Sequence, residues 1–228
     1  MASRAPDLAT IDTWVFDLDN TLYPAACNLF AQVDWRITHF LAGFLKMEKE
    51  EARRIQKELA RRYGTSMRGM MVEHGMPPGE FLRYVHDIDV TPVQPSPALD
   101  QALARLPGRK LIYTNGSTRH AENVMSRLGV GHHFAGIFDI VASDYVPKPD
   151  PAPYRALIDR HAITAKRAVM IEDIARNLIP AAQLGMTTVW VRTDHDFARF
   201  GADAAHIHHE TDDLVTWLEA APTKPSAT

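Results

Sequence analysis

Five short apolar runs punctuate the chain: Trp14-Val15-Phe16, Leu111-Ile112-Tyr113, Ile137 to Val141, Ala168 to Ile171 and Thr188 to Val191. Each has the length of a buried strand rather than of a helix. Between them lie segments of helical period. Ala121, Val124, Met125 and Leu128 recur at three and four residues and stop at Gly129, while Asp150-Pro151 opens a helix with Tyr154, Leu157 and Ile158 on one face. Strand and helix in alternation predict a parallel sheet with right-handed crossovers.

From Pro24 to Pro95 that rhythm breaks, and only helical patterns occur. Leu29, Phe30, Val33, Ile37, Phe40, Leu41 and Phe44 form an amphipathic stripe. The segment from Glu48 to Tyr63 is charged, with Glu50/Arg54 and Glu58/Arg62 spaced for pairing along a solvated helix. Turn signals at Tyr63-Gly64-Thr65 and Pro77-Pro78-Gly79 divide the rest of this stretch into two shorter helices, in which Met67, Met70, Met71 and Met76 read as packing residues. The proline-rich Thr91 to Pro97 reads as the linker back. Residues 11–23 and 96–220 are thus expected to form one α/β core and residues 24–95 a helical insert that caps it. The ends, up to Thr10 and after Ala220, are expected to fray.

The polar residues that close the apolar runs change this picture from a fold to a site. Asp17 and Asp19 follow the first run, Thr114-Asn115 the second, Ser143 to Lys148 the third, and Glu172-Asp173 the fourth. Parallel strands would gather all four groups at one edge of the sheet, where open α/β sheets place their chemistry. Four carboxylates held so close repel, by about 4 kcal/mol for one pair at 4 Å and an effective dielectric near 20. Lys148 supplies one balancing charge, and a hard divalent cation would supply the rest. Magnesium suits few carboxylates, several waters and a phosphate oxygen, and the lack of cysteine and histidine in these segments disfavours zinc. Such a set could run an aspartyl-phosphate reaction. Asp17 would attack phosphorus, Asp19 would serve as acid and then base, and Lys148 would hold charge. Thr114 and the amides of Asn115 and Gly116 would bind phosphate oxygens at a helix start.

In the order of these motifs the chain resembles the haloacid dehalogenase superfamily, in its phosphatase branch. The carrying residues are Asp17-Leu18-Asp19-Asn20-Thr21, Thr114, Lys148 in Lys148-Pro149-Asp150-Pro151, and Glu172-Asp173. The resemblance implies a Rossmann-like parallel core with a helical cap inserted after the first strand. It implies Asp17 as nucleophile and Asp19 as acid/base. Magnesium would be held by Asp17, the Asp19 carbonyl and Asp173, with Thr21 in the phosphate site and Glu172 and Asn177 as supports. A narrower similarity, in Asp17 to Tyr23, Tyr63-Gly64-Thr65 with Arg68-Gly69, His86 to Asp89, and Thr114-Asn115-Gly116 with His120-Ala121, is to the pyrimidine 5'-nucleotidases. It implies nucleoside monophosphates as substrates, with Tyr63 and Arg68 as insert residues that meet them. Glu172 departs from the Asp common there, which makes Asp173 the preferred metal ligand.

Composition narrows the alternatives. With 228 residues, 46% of them hydrophobic, the chain can bury a sizeable core, and a net charge of -3 with scattered arginines offers no field for nucleic-acid polymers. There is neither a signal-type apolar start nor a membrane-length apolar run, so a cytoplasmic protein acting on a small phosphorylated metabolite is expected. The single cysteine, Cys27, excludes an internal disulfide and reads as a packed small side chain. His206, His208 and His209 read as a surface strand rather than a metal site, and His132-His133 as a loop; His120 either faces the pocket or packs away from it. A phosphatase of sugar phosphates or phosphoglycolate would share every core residue. A dehalogenase would lack the acid at position 19. A phosphoacceptor receiver domain would order its motifs differently, and a degenerate binding protein would not need all four. Oligomeric state is not legible in the chain.

Overall fold

The computed structural model describes residues 8–202 and 205–221. Six strands, β1 (Thr13–Phe16), β2 (Arg109–Tyr113), β3 (Phe134–Phe138), β4 (Ala168–Glu172), β5 (Thr187–Val191) and β6 (His209–Thr211), lie in the order β3-β2-β1-β4-β5-β6. Every pairing is parallel. The first strand in the chain is therefore central. The chain builds outward to β3 on one side and then returns to lay β4, β5 and β6 on the other, and that reversal opens a crevice at the carboxyl ends of β1 and its neighbours. This is the Rossmann-like α/β arrangement that the alternating pattern predicts.

The period of two along each strand divides the core into two layers. Trp14, Phe16, Ile112, Val169, Ile171, Val189 and Val191 pack with α5 (Pro97–Arg105), α6 (Thr118–Leu128) and α9 (Leu214–Ala220). Val15, Leu111, Tyr113, Met170 and Trp190 pack on the opposite face with α7 (Pro151–Arg160) and α8 (Leu178–Gln183). The helix ends follow the sequence signals: Gly129 closes α6 in the left-handed conformation, and the Asp150 carboxylate accepts the Ala152 N–H at 2.8 Å at the start of α7.

Between β1 and α5 the chain forms four α-helices, α1 (Leu29–Leu45), α2 (Lys49–Tyr63), α3 (Ser66–His74) and α4 (Pro78–Val85). They enclose an apolar cluster of their own, built on Leu41, Leu59, Met67, Met70, Met76, Phe81 and Val85. The methionines are thus packing residues. At the ends of the α1 stripe, Phe30 and Phe44 are 41% exposed, whereas Phe40 meets the Phe81 ring at 5.2 Å. A polar seam joins α1 to α2: Thr38 Oγ1 donates to Gln56 Oε1 (2.6 Å), and Gln56 Nε2 donates to Asp34 Oδ1 (2.8 Å). Of the anticipated ion pairs on α2, Glu58/Arg62 forms at 3.6 Å, but Arg54 pairs with Glu51 instead of Glu50, since i,i+3 neighbours are as close as i,i+4.

Two boundaries differ from the sequence reading. The run Ile137 to Val141 leaves the sheet after Phe138 because Asp139 turns away to accept N–H bonds from Thr118 and Ala142, both at 2.8 Å. Ile140 is thereby released into the apolar cluster of the insert. At the start, Leu8–Thr10 form a short turn with Leu8 packed on the core, and Ala221 is buried at the other end. The remainder of both ends, residues 1–7 and 222–228, lies outside the described residues. Cys27 is half-buried against the core, and burial pushes its thiol up. Among the described residues no helix is long and apolar enough to cross a membrane.

The β1/β2 register begins where Asp12 O accepts the Arg109 N–H at 2.9 Å. This close approach is made by Gly108, at φ +72°, where an added Cβ would lie 2.0 Å from that oxygen. Gly108→Ala is expected to cost about 2–4 kcal/mol through strain and overlap, and to lower the thermal midpoint by about 5–15 °C in a calorimetric melt.

Candidate active site

The strand ends bring the acidic residues together. The Asp17 N–H extends the β1/β4 ladder by donating to Ile171 O at 2.9 Å, so its side chain leaves the sheet at a fixed point. Lys148 Nζ, on the loop after β3, donates to Asp17 Oδ1 (2.6 Å), Glu172 Oε2 (2.5 Å) and Tyr113 O (3.1 Å). Asn115 places that lysine: its Oδ1 accepts the Lys148 N–H at 2.9 Å. The other Asp17 oxygen accepts from Thr21 Oγ1 at 3.1 Å. Asn20, at φ +59°, makes the turn that returns Thr21 toward Asp17.

Asp17, Glu172 and Asp173 are all buried and offer oxygens within 4.8 Å of one another. Glu172 is fully engaged, since its second oxygen accepts the Ile174 N–H at 3.2 Å. Asp173 is not. Its backbone carbonyl accepts from Trp190 Nε1 at 2.7 Å, but its Oδ2 is buried without a hydrogen-bond partner. Burial pushes the Asp17 carboxyl up to about 7, with Glu172 and Asp19 adding to the rise and Lys148 opposing it. Burial, Glu172 and Asp17 likewise hold the Asp173 carboxyl well above its usual range. Lys148 is pushed further up by the two carboxylates, against the effect of burial. An all-oxygen cluster with a bare buried oxygen and too few positive charges fits a hard divalent cation.

Asp19 has a different environment. Tyr23 OH donates to its Oδ1 at 2.6 Å, and His120 Nε2 lies 2.7 Å from the same oxygen. Burial works to raise this carboxyl, but the His120 charge and the bonds from His120 and Tyr23 outweigh it and hold it at about 2. The imidazole of His86, at the end of α4, stacks on that of His120 with centroids 4.7 Å apart. Burial and the neighbouring His120 hold His86 down at about 3.

Thr114 is buried at the end of β2, and its Oγ1 accepts the Gly116 N–H at 2.9 Å. Helix α6 starts only at Thr118, capped by Ser117, so Asn115 and Gly116 lie in the turn before it and not in its first residues. A side chain at 116 would fill the space 3.2 Å from Thr114 Oγ1 and 3.8 Å from Asp19 Oδ2. Glycine leaves that space open to a ligand. Asn177 is buried after β4, and its carbonyl accepts from Tyr154 OH at 2.5 Å.

The insert residues singled out by sequence take other positions. Tyr63 OH donates to Glu73 (2.8 Å) beside Arg62, within the insert. The Arg68 N–H donates to Thr65 Oγ1 (3.1 Å) at the head of α3. Gly64 between them is the residue that meets the active loop, with its Cβ direction 3.1 Å from Pro147 and 3.5 Å from Lys148 O. Tyr23 and His86 enter the site although sequence reasoning gives them no role in it. The i,i+4 spacing of Asp19 and Tyr23 is a usable signal for the first. Nothing in sequence joins His86 to His120.

Elsewhere, His206 Nε2 meets Ala175 O (3.0 Å), His208 Nδ1 meets Thr188 (2.9 Å to Oγ1), and His209 lies in β6 against Trp217. These separate partners fit the surface-strand reading, although only His209 is in the strand. His132 and His133 follow α6 in a short turn, and both reach Asp100 Oδ1, at 3.2 and 2.7 Å.

Comparison with known proteins agrees with this architecture. The chain is 26% identical over 189 residues to phosphate metabolism protein 8 of Saccharomyces cerevisiae, covering 75% of this chain and 58% of that protein. It is 26% identical over 110 residues to the phosphoglycolate phosphatase of Vibrio cholerae, covering 47% of each. The matches thus span about half the length of these relatives. Among solved structures, a haloacid dehalogenase-type phosphatase from Thermococcus onnurineus superposes with TM-score 0.63 at 19% identity, over 94% of this chain and 100% of that one. A hydrolase of the same type from Bacillus subtilis, bound to magnesium, superposes with TM-score 0.58 at 16% identity, over 92% and 98%. These likenesses show the fold. The model of the haloacid dehalogenase-like hydrolases matches residues 11–185, through all four strand-end motifs, and the chain belongs to that family.

Proposed function

We propose that this protein is a magnesium-dependent phosphomonoesterase that works through an aspartyl-phosphate, with nucleoside 5'-monophosphates of the pyrimidine type as its substrates. One observation carries the reading. Two aspartates two residues apart have separate surroundings: Asp17 lies in the buried carboxylate cluster on Lys148 beside the unpaired Asp173 Oδ2, whereas the Asp19 carboxylate stands outside that cluster on Tyr23 and His120. A nucleophile beside a cation site and a proton carrier outside it call for such a division.

The Asp17 and Asp173 carboxylates and the Asp19 carbonyl would hold the magnesium ion. When bound, it supplies positive charge against the phosphate oxygens and the buried carboxylates. The chain does the rest. Asp17 attacks phosphorus in line, and the bond to the alkoxide leaving group breaks. Asp19 is ionised at rest, but the negative phosphate raises its carboxyl again, so it takes up a proton with the substrate and gives it to the leaving oxygen. Asp19 then accepts a proton from water. That water attacks phosphorus, breaks the bond to Asp17 and frees inorganic phosphate. Lys148 and Thr114 balance and orient the phosphoryl oxygens, Thr21 steadies Asp17, and Gly116 gives the group room. Residues 24–95, with helices α1–α4, act as a cap that excludes bulk water while the acyl phosphate exists. Tyr63, at the end of α2, and Arg68, in α3, flank the Gly64 turn that meets the Lys148 loop and are the cap positions assigned to selecting the leaving group.

The similarity of the strand-end and insert motifs to the pyrimidine 5'-nucleotidases supports the nucleotide preference. The stretch shared with the Vibrio cholerae phosphoglycolate phosphatase favours a second reading, a small phosphorylated acid. A panel of UMP, CMP, phosphoglycolate and hexose phosphates with magnesium separates them. The expected result is a kcat/KM for the pyrimidine nucleotides at least about tenfold above the others, a difference of about 1.4 kcal/mol. Preference for phosphoglycolate would install the second reading, and no turnover of any ester would overturn both. Asp17→Asn is expected to lower kcat by about 10^3-fold or more, measured as phosphate release, because the amide cannot form the acyl phosphate.

The raised Asp17 carboxyl also sets a pH dependence. Below about 7 it is protonated in the metal-free protein, so magnesium must displace a proton to bind. Affinity is expected to fall at least about tenfold for each pH unit below 7, since the Asp173 carboxyl is raised as well, read by calorimetric titration at several pH values. A flat profile between pH 5 and 7 would contradict the assignment of Asp17 as a ligand.

A further inference from the structure

The insert touches the proton-carrying aspartate through two histidines. His120 comes from α6 of the core and its side chain is 2% exposed. Its Nε2 lies 2.7 Å from Asp19 Oδ1, while its Nδ1 is buried without a hydrogen-bond partner. With Nδ1 unpartnered, the Nε2 bond is the one hydrogen bond to the ring among the described residues. Packing must set the rest of its orientation. His86, at the C-terminal end of α4, lies flat on it, 4.7 Å between centroids and 12° between planes. His86 is itself tied to the core, its Nδ1 2.9 Å from Ser117 Oγ, the hydroxyl that also accepts the His120 N–H at 3.4 Å. One serine therefore meets the His86 ring and the His120 backbone.

The geometry has a consequence at Asp19. Oδ1 takes Tyr23 OH and His120 Nε2 together, and among the described residues no hydrogen bond is made to Oδ2. Two donors on one oxygen fix the carboxylate plane and reserve the other oxygen, on the side open toward Gly116. We infer that His120 is a positioning residue that aims Asp19 Oδ2 at the leaving oxygen, and that His86 of the insert holds it in place, so that proton delivery is aligned only when the insert is seated on the core. This rests on the phosphomonoesterase reading, and it assigns to His86 and His120 a task that neither performs on the substrate itself.

A misaligned acid should penalise esters in proportion to how much they need a proton. The experiment measures kcat/KM, which reports steps only through the first irreversible transfer to Asp17, for p-nitrophenyl phosphate and for simple alkyl phosphates with magnesium. Nitrophenolate leaves unprotonated, whereas an alkoxide does not. His120→Leu is expected to lose about 30- to 100-fold on the alkyl esters and less than about threefold on the nitrophenyl ester. His120→Gln, which can return an amide N–H near the Nε2 position, is expected to recover most of the loss, and His86→Leu to show a smaller loss of the same pattern. Across a series of aryl phosphates the dependence of log kcat/KM on leaving-group basicity should steepen in His120→Leu and not in His120→Gln. Equal losses on both classes, or an unchanged slope, would mean a structural role only and would overturn the inference. Should His120→Leu fail to fold in a thermal melt, the same comparison in His86→Leu and His120→Gln decides it. Absence of turnover by the wild-type chain on either class would instead overturn the phosphomonoesterase reading on which the inference stands.

Discussion

Around the single ammonium of Lys148 the fold buries three carboxylates, those of Asp17, Glu172 and Asp173, with ligand oxygens within 4.8 Å of one another. Fully ionised, the group carries two negative charges in excess, in surroundings that water screens poorly. Lys148 bonds to two of the acids and leaves Asp173 Oδ2 bare. The frustration is imposed by the strand ends: β1 and β4 are hydrogen-bonded neighbours, Asp17 follows β1 directly, and β4 ends on Glu172 with Asp173 next. Much of the surrounding structure serves to keep this arrangement from relaxing. Asn115 pins the Lys148 backbone, Trp190 pins that of Asp173, and the ladder pins that of Asp17.

Strain of this kind costs stability and is retained where it is used. In the proposed phosphomonoesterase the missing positive charge arrives with the cation, and the raised Asp17 carboxyl becomes the ionised nucleophile at that moment. Glu172 contributes differently from what its place beside Asp173 suggests. Its longer side chain reaches Lys148 at 2.5 Å and the Ile174 N–H at 3.2 Å, so both oxygens are spent on holding the loop and the lysine. The extra methylene relative to aspartate thus lets Glu172 act as the counter-ion of Lys148 and leaves Asp17 and Asp173 as the proposed cation ligands.

The insert is bound to this site at three places. Gly64 on the α2–α3 turn lies over Pro147 and the Lys148 carbonyl, Ile140 from the loop after β3 is absorbed into the insert's apolar cluster, and His86 stacks on His120. Because Asp139 ends β3 by capping α6, one carboxylate both frees Ile140 for the insert and fixes the helix that carries His120. The two halves of the site, the carboxylate cluster and Asp19, are in this way tied to the same interface.

The chain alone determined the strands, the order of the four motifs and the helical insert, because those depend on short-range period and on which residues follow each apolar run. It determined the pairing of Asp17 with Lys148 only as a requirement of charge, since 131 residues separate them in sequence. The tertiary structure decided which acid Lys148 shares, which oxygen is left bare, and that Tyr23, His120 and His86 converge on Asp19. His86 lies in the insert, His120 in a core helix and Asp19 after the first strand; no local pattern encodes a stack between rings 34 residues apart, because it exists only once the residue that ends α4 is brought onto α6.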